Sequence, residues 1–272
     1  MTFLLMVTGR DAAKKAQRVG ETLFTRMKRV FPMLGWEDFR ETSIEILGSE
    51  SQFGEHSQAM ASREVVLKMA AHHDKREALG FFAREIPSSA LSMAQSLIGG
   101  GSGLPRPTPY IKVHSMMVPR PFVTVTVNDE IFEGSGIGDW GLGTGQQSVG
   151  NNQQSTVNDG ELVEVSLLDV AYGRSGDKGN TCNIGIVARK PELVPILRAE
   201  LTAEKVKAYL AHLVKGEVER FELPGLNAFN FLCHDALGGG GTSSLRFDPL
   251  GKGMAQILLE MPINVPVALI DS

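Results

Sequence analysis

The chain has 272 residues, of which 42% are hydrophobic and 21% are charged, and its formal net charge is -4. This composition supplies enough apolar material for a packed interior and too little net charge to favour disorder, so we expect a soluble globular protein. No cluster of Lys and Arg is long enough to neutralise a phosphate backbone, and no apolar run approaches about 18 residues, so neither nucleic acid nor a membrane is an expected partner. Two cysteines, Cys182 and Cys233, do not form the framework of a small secreted scaffold, and a reducing, cytoplasmic compartment is predicted.

The N-terminal half begins with a strand-helix pattern. The apolar run Phe3–Thr8 predicts a strand that stops at a glycine, and apolar positions three or four apart predict an amphipathic helix over residues 12–30. A strand over residues 39–47 and a helix over residues 58–83, with a break near His72, are predicted next. We therefore interpret this half as part of an α/β domain.

The middle of the chain changes character sharply. Alternating β-branched residues over 110–118 and 122–127 predict two strands, and residues 133–160 are then rich in Gly, Gln and Asn. A stretch of that composition buries too little apolar area to offset its ordering entropy. The sequence therefore predicts a first domain over residues 1–150 that ends in a linker, although the same composition also suits a functional loop.

The C-terminal part, residues 160–272, reads as a compact α+β sandwich. Strands are predicted over residues 162–170, 182–188, 218–221, 228–233 and 254–260, with a helical region over 191–214. About 110 residues is a common size for one domain. The fold class predicted for the whole chain is α+β.

The segment from Tyr172 to Thr181 is the most unusual in the sequence. It is predicted to be a long loop, and between its glycines it concentrates Arg174, Ser175, Asp177, Lys178 and Asn180. Glycine lets backbone N–H groups converge on an anion, and the two cations add charge, which indicates a site for a carboxylate, a phosphate or a thioester-like carbonyl. An exposed loop solvated by its own charges is equally compatible with the pattern. Neither phosphate-loop nor dinucleotide-binding spacing is present, so no nucleotide cofactor is expected.

A second candidate loop follows the strand that ends at Cys233. His234 precedes four consecutive glycines, 238–241, and the residues expected to bind substrate there are Gly239, Gly240, Thr242, Ser243 and Arg246. His234 suits a general acid or base, or else a strand-end histidine bonded to Asp235 or to the backbone. Cys233 shares a strand face with two phenylalanines, which predicts burial rather than nucleophilic use. No histidine has a ligand-spaced partner, so no metal is expected.

These segments carry a family resemblance. The run Leu168-Asp169-Val170-Ala171-Tyr172-Gly173-Arg174-Ser175-Gly176-Asp177-Lys178-Gly179-Asn180, continued by Asn183-Ile184-Gly185, resembles the acyclic terpene utilisation (AtuA-like) family at the start of its C-terminal, ferredoxin-fold-like domain. Residues 229–231 and 238–245 are also similar to that family, and residues 7–11 and 46–48 resemble the tail of its larger N-terminal domain. Family members carry a longer glycine-rich N-terminal part, so the chain is expected to correspond to the later portion of the family architecture.

The resemblance implies a place in the catabolism of branched acyclic terpenoids such as citronellol or geraniol, which are degraded as CoA thioesters. Our leading hypothesis is therefore a metabolic protein that binds an acyl or hydroxyacyl substrate and performs hydratase-like or lyase-like acid/base chemistry without a cofactor. Asp177 and His234 would exchange protons, Lys178 and Arg174 would hold the anion or polarise the carbonyl, and both loops would enclose one ligand. A non-catalytic subunit or assembly module, acting as a homo-oligomer or with a protein partner, is the alternative, and a truncated gene product is the third.

Overall fold

A computed structural model describes residues 1–99, 103–112, 126–127, 130–131 and 161–270. Residues Met1–Val113 and Leu162–Ser272 form one compact unit, and His114–Glu161 form a second. The predicted linker over residues 133–160 lies outside the described residues, so the proposed boundary between residues 150 and 160 stays a prediction.

The N-terminal sheet has four antiparallel strands in the order β2-β3-β1-β4. Two helices pack with it in one hydrophobic core. Close packing is reflected at Gly20, where a Cβ atom would lie 3.0 Å from Ile44 Cδ1. The elements in chain order are β1 (Thr2–Thr8), α1 (Ala12–Met33), β2 (Glu41–Leu47), β3 (Glu64–His72), α2 (Arg76–Ser92) and β4 (Leu97–Gly99).

The predicted helix over residues 58–83 is wrong. Its central part is strand β3, and α2 begins only at Arg76. The strand lies between β1 and β2, with Val65, Leu67 and Met69 in the hydrophobic core and Lys68 buried on the opposite face. A strand buried on both faces lacks the polar–apolar alternation that marks a half-buried strand, so its apolar run is easily taken for a helix.

In the second unit, the described residues form two short antiparallel strands, β5 (Thr126–Val127) and β6 (Glu130–Ile131). Residues 110–112 are not in a strand, contrary to the expectation for 110–118, and the remainder of that stretch lies outside the described residues.

The C-terminal part contains a second four-stranded antiparallel sheet in the order β10-β11-β9-β8, and β7 pairs separately with β12. Helices pack beneath the sheet around a second hydrophobic core, and the α+β class expected from the sequence is confirmed. The elements are β7 (Leu162–Ser166), α3 (Leu167–Val170), β8 (Ala171–Lys178), β9 (Thr181–Ala188), α4 (Val194–Glu200), α5 (Ala203–Tyr209), β10 (Val218–Leu223), β11 (Ala228–Cys233), α6 (Met254–Leu259) and β12 (Pro262–Pro266).

Two of the strands predicted in this part are helical, one over nearly its whole length and one in its second part. The segment predicted as a strand over residues 254–260 is helix α6, which is buried on nearly every side and therefore shows no amphipathic period. The strand predicted over residues 162–170 stops at Ser166, because a capping box starts α3 there: Leu168 N donates to Ser166 Oγ and Ser166 N donates to Asp169 Oδ2.

A buried ion pair joins the N-terminal sheet to the C-terminal part. Lys68 Nζ contacts Glu45 Oε2 and also donates to Leu245 O at 2.6 Å, while Phe247 N donates to Glu45 Oε1 at 3.0 Å. In a second contact the ring of His56 stacks on the ring of Tyr209, with 4.0 Å between the centroids. The segment after the four glycines is therefore fixed directly to the first sheet.

Candidate functional site

The charged segment after Tyr172 is a strand, not the loop that we expected. Residues Ala171–Lys178 pair in continuous register with Thr181–Ala188, so only Gly179 and Asn180 form the turn. Gly179 has a φ of +68°, which a glycine at the first central position of a tight hairpin turn adopts without strain. The three glycines and the charged residues hide the strand alternation in the sequence. Because the segment is a paired strand, its charged side chains project from a sheet and not from a loop.

The register assigns the polar side chains to two faces of the sheet. We call the face opposite the helices the outer face. Its cross-strand rows, read from β8 to β10, are Lys178-Thr181-His234, Gly176-Asn183-Leu232-Glu219, Arg174-Gly185-Asn230-Phe221 and Tyr172-Val187-Ala228-Leu223. The buried side chains of β9, and those of β11 other than Ala228, lie on the opposite face.

Three cations converge on one end of the outer face. Arg174, Lys178 and Lys252 line a pocket of about 300 Å³ whose floor includes Gly176 and Gly185, and we call it the cation pocket. A Cβ atom on Gly176 would lie 2.9 Å from Lys252 Nζ, so the glycine makes room for the ammonium group. Within the part of the chain that the structure describes, none of the three cations forms an ion pair with a carboxylate. Three cations around one pocket, each without an ion-pair partner in these ranges, suit an anion.

Two hydrogen-bonded groups shape the pocket. Ser175 is buried, and its Oγ donates to Lys252 O at 3.3 Å and accepts from Ala255 N at 2.9 Å, which fixes the segment that carries Lys252. Asn230 Nδ2 donates to Asn183 Oδ1 at 2.9 Å. The nitrogen of the Asn183 amide therefore remains as a donor beside the cations.

The predicted acid/base pair is divided between the two faces. Asp177 pairs with Cys182, whose side chain is fully buried, so the carboxylate is on the helix side. His234 lies on the outer face, where its Nε2 is 2.6 Å from Glu219 Oε1 and its Nδ1 is 3.2 Å from Thr181 Oγ1. The partner of His234 is thus Glu219 rather than Asp177.

The glycine-rich loop meets the hairpin, but the hairpin itself fills it. Leu237 N and Gly239 N donate to Asn180 Oδ1 at 3.3 and 2.8 Å, and Asn180 Nδ2 donates to Asp235 Oδ1 at 2.7 Å. At Gly240 a Cβ atom would lie 2.1 Å from the carbonyl oxygen of Gly179, the first residue of the hairpin turn. The side-chain oxygen of Asn180 therefore accepts the backbone hydrogen bonds that we expected the loop to donate to a ligand.

The remaining predicted ligands are committed elsewhere. Arg246 donates to Leu213 O at 3.0 Å and to Ala236 O, and desolvation by burial lowers its pKa. Ser243 Oγ donates to backbone carbonyls of its own loop, and Thr242 Oγ1 donates to Ile111 O at 2.6 Å. Thr242 and Ser243 line a different cavity, of about 580 Å³. The structure therefore brings Arg174, Ser175 and Lys178 together in the cation pocket, whereas the residues from Gly239 to Arg246 do not line it.

The two cysteines are inert by position. Cys182 and Cys233 face each other across β9 and β11, and both are fully buried, as predicted for Cys233. Desolvation raises the pKa of each thiol to about 12. Because the thiolate is the nucleophilic form, neither cysteine is available for catalysis.

Sequence reasoning missed Lys252, Thr181, Asn183 and Glu219. Lys252 has a signal of the kind used for the other loops, because it lies between two glycines. Glu219 had only its alternation with half-buried neighbours on a short strand. No group of three or more His, Cys, Asp or Glu side chains in the described ranges could hold a metal ion.

Comparison with known proteins places the chain in a family. Residues 1–128 match the model of acyclic terpene utilisation family protein AtuA, and residues 165–264 match the model of the AtuA ferredoxin-like domain. The chain belongs to the AtuA family. The family resemblance inferred from the sequence is thereby confirmed, and this AtuA protein has a metabolic role in acyclic terpene utilisation. No curated protein and no solved structure matches it.

Among the described residues of this AtuA protein, no helix has both the length and the apolar character needed to cross a membrane.

Proposed function

We propose that this protein binds an acidic acyl substrate of acyclic terpenoid breakdown, with the anionic group of the substrate in the cation pocket. The observation that carries the proposal is the convergence of Arg174, Lys178 and Lys252, without a carboxylate partner among the described residues, on a floor of glycines. A carboxylate or a phosphate of an acyl-CoA would accept charge-assisted hydrogen bonds there, each contributing about 1.5–3 kcal/mol.

The surface next to the cation pocket carries apolar side chains that an acyl chain could contact. Tyr172, Val187 and Leu223 lie in one cross-strand row and are exposed. This row is two residues along the strand from the row of Arg174, which corresponds to about 7 Å. Exposed apolar side chains beside a cationic pocket match a substrate with one charged end and a branched hydrocarbon end.

The test is a binding titration of the full chain with isovaleryl-CoA, free CoA and isovalerate, measured by calorimetry. We expect isovaleryl-CoA to bind, and the variant with Arg174→Ala and Lys252→Ala to lose at least tenfold in affinity, which corresponds to about 1.4 kcal/mol. Lys215→Ala is the matched control, because this exposed lysine lies outside the pocket. Comparison of the three ligands identifies the anion that is bound. Absence of binding by all of them, or equal affinity in the double variant, would refute the proposal.

A second candidate function, that of an assembly module, rests on the apolar residues of the outer face. Phe221 and Leu223 are 44% and 39% exposed and lie on β10, which is an edge strand of its sheet. Exposed apolar residues on an edge strand suit association with another chain. Light scattering on the parent and on Phe221→Asp tests this function. A complex that the substitution dissociates, together with no acyl-CoA binding, would favour the module.

A further inference from the structure

We propose that Thr181 is a nucleophile, activated by His234 and oriented through Glu219, that accepts the acyl group of the bound substrate. This inference rests on the proposed function, because the cation pocket would hold the substrate beside Thr181. It assigns a reaction, acyl transfer to a hydroxyl group, to a surface for which the sequence suggested only a proton exchange between Asp177 and His234.

The hydrogen bonds of the imidazole decide which group faces the substrate. An ionised carboxylate only accepts hydrogen bonds, so Glu219 Oε1, at 2.6 Å, requires the proton to be on Nε2 of His234. In the neutral imidazole the lone pair of Nδ1 then accepts the hydroxyl proton of Thr181 across 3.2 Å. The basic nitrogen is thus directed at the Thr181 oxygen, and His234 acts on the substrate through that oxygen. Hydroxyl, imidazole and carboxylate in this order form the arrangement that activates a nucleophile.

The residue paired with Thr181 across the hairpin is a cation, Lys178, whose Nζ donates to Asp177 O at 3.3 Å. Lys178 is directly opposite Thr181 in the strand register and also lines the cation pocket. Directly opposed residues have Cβ atoms about 4.5–5.5 Å apart, so the ammonium group can reach an oxygen bonded to the carbon that Thr181 attacks. The amide of Gly239 is already used by Asn180, so Lys178 is the stabilising group for the developing oxyanion.

The reaction proceeds in two balanced steps. Thr181 Oγ1 attacks the thioester carbonyl carbon and its proton passes to His234 Nδ1, while the carbonyl electron pair moves to the oxygen beside Lys178. The C–S bond then breaks, and the leaving thiolate takes the proton from His234. Water attacks the acyl-threonine in the same way, and the products are a carboxylic acid, a thiol and the free hydroxyl group of Thr181.

The pair behind the nucleophile contributes little to the fold. The side chains of His234 and Glu219 are 42% and 52% exposed. Exposed ion pairs contribute about 0–1 kcal/mol to stability. Substitution of either residue should therefore leave the folded protein intact, so a loss of reactivity in such a variant reports on chemistry. Glu219 is a positioning residue, because its carboxylate contacts the imidazole and would act on the substrate through it.

The test is covalent labelling of the full chain with a fluorophosphonate probe, located by peptide mass spectrometry. The hydroxyl oxygen of Thr181 forms a bond to phosphorus and displaces fluoride, and the hydroxyl proton leaves with it, so the residue gains the mass of the probe less that of HF. We expect Thr181→Ser to retain the adduct, Thr181→Ala to lose it, and His234→Gln to slow labelling by about 100-fold or more. Glu219→Gln should also slow labelling, and Glu219→Asp should restore part of the rate, as expected for a positioning carboxylate. Thr25→Ala, at an exposed threonine on α1, is the control.

Absence of an adduct, an adduct on another residue, or a rate unchanged in His234→Gln would overturn the assignment. The outcome is independent of the binding titration above. Binding of isovaleryl-CoA without labelling would reject the nucleophile and leave the proposed binding function standing. Labelling of Thr181 without acyl-CoA binding would support the nucleophile and reject the proposed substrate.

Discussion

Replacement of Lys68 by Met is the perturbation with the largest calculable effect on the fold. Lys68 forms a buried ion pair with Glu45, with both side chains only 9% exposed, and it also donates to Leu245 O. Glu45 accepts from Phe247 N and from Gln52 Nε2. Lys68→Met leaves the Glu45 carboxylate buried and without its counter-charge, for which the expected cost is about 3–5 kcal/mol.

The magnitude is checked by removing the charge from both partners. Glu45→Gln in the Lys68→Met background removes the unpaired charge and keeps a side-chain oxygen for Phe247 N. The remaining cost is that of the hydrogen bond lost at Leu245 O, about 1–3 kcal/mol. The double variant should therefore be more stable than Lys68→Met alone, by about 2 kcal/mol.

Urea unfolding followed by circular dichroism measures these differences. The control is Lys205→Ala, which breaks the surface pair with Glu200, whose side chains are 50% and 22% exposed, and which should cost about 0–1 kcal/mol. A Lys68→Met variant within about 1 kcal/mol of the parent would refute the argument that this pair joins the two parts of the unit. A double variant less stable than Lys68→Met would refute the assignment of the cost to an unpaired charge.

Three further predictions concern glycines and thiols. Gly240→Ala should destabilise the protein by about 1–3 kcal/mol or more, measured by urea unfolding, because its Cβ would lie 2.1 Å from the hairpin carbonyl and its φ is +72°. Gly176→Ala should weaken isovaleryl-CoA binding in calorimetry with little loss of stability, because the Cβ displaces only the flexible end of Lys252. Cys182 and Cys233 should react with a disulfide reagent only on unfolding. Because burial raises the pKa of both thiols from 9.0 to about 12, stability should fall as the pH rises between those values, and constant stability there would contradict the burial.

The predictability of the fold followed the clarity of each local pattern. The strand predicted over residues 182–188 and the helical turns after Thr202 are present. Their buried apolar residues recur every second position in the strand and every fourth position in the helical turns. β3 and α6 were assigned to the wrong type, because each is buried on most sides and so has no solvent-facing period. Solvent exposure on one side is what makes a period visible in a sequence.

The candidate site was predictable only in part, for a different reason. Arg174 and Lys178 were selected because they are cations between glycines within one segment, and the structure places both in the cation pocket. Lys252 and Glu219 come from distant parts of the chain, and only the strand register and the packing of α6 bring them to the same sheet. The glycine loop was predicted to bind a ligand, but its backbone N–H groups donate to Asn180, a contact between distant parts of the chain that the sequence does not reveal.

The filled glycine loop has a consequence for genetics. The turn at Asn180, the four glycines and the buried pair at Lys68 form a series of contacts from the C-terminal sheet to the N-terminal sheet. Mutational screens scored by growth will therefore identify the glycines as essential, even though their role is to pack the loop 238–241 against the hairpin turn at Asn180. Abundance measured alongside function separates such damage from a direct loss of function, and the proposed nucleophile Thr181 is expected to be a position whose substitution lowers function at normal abundance.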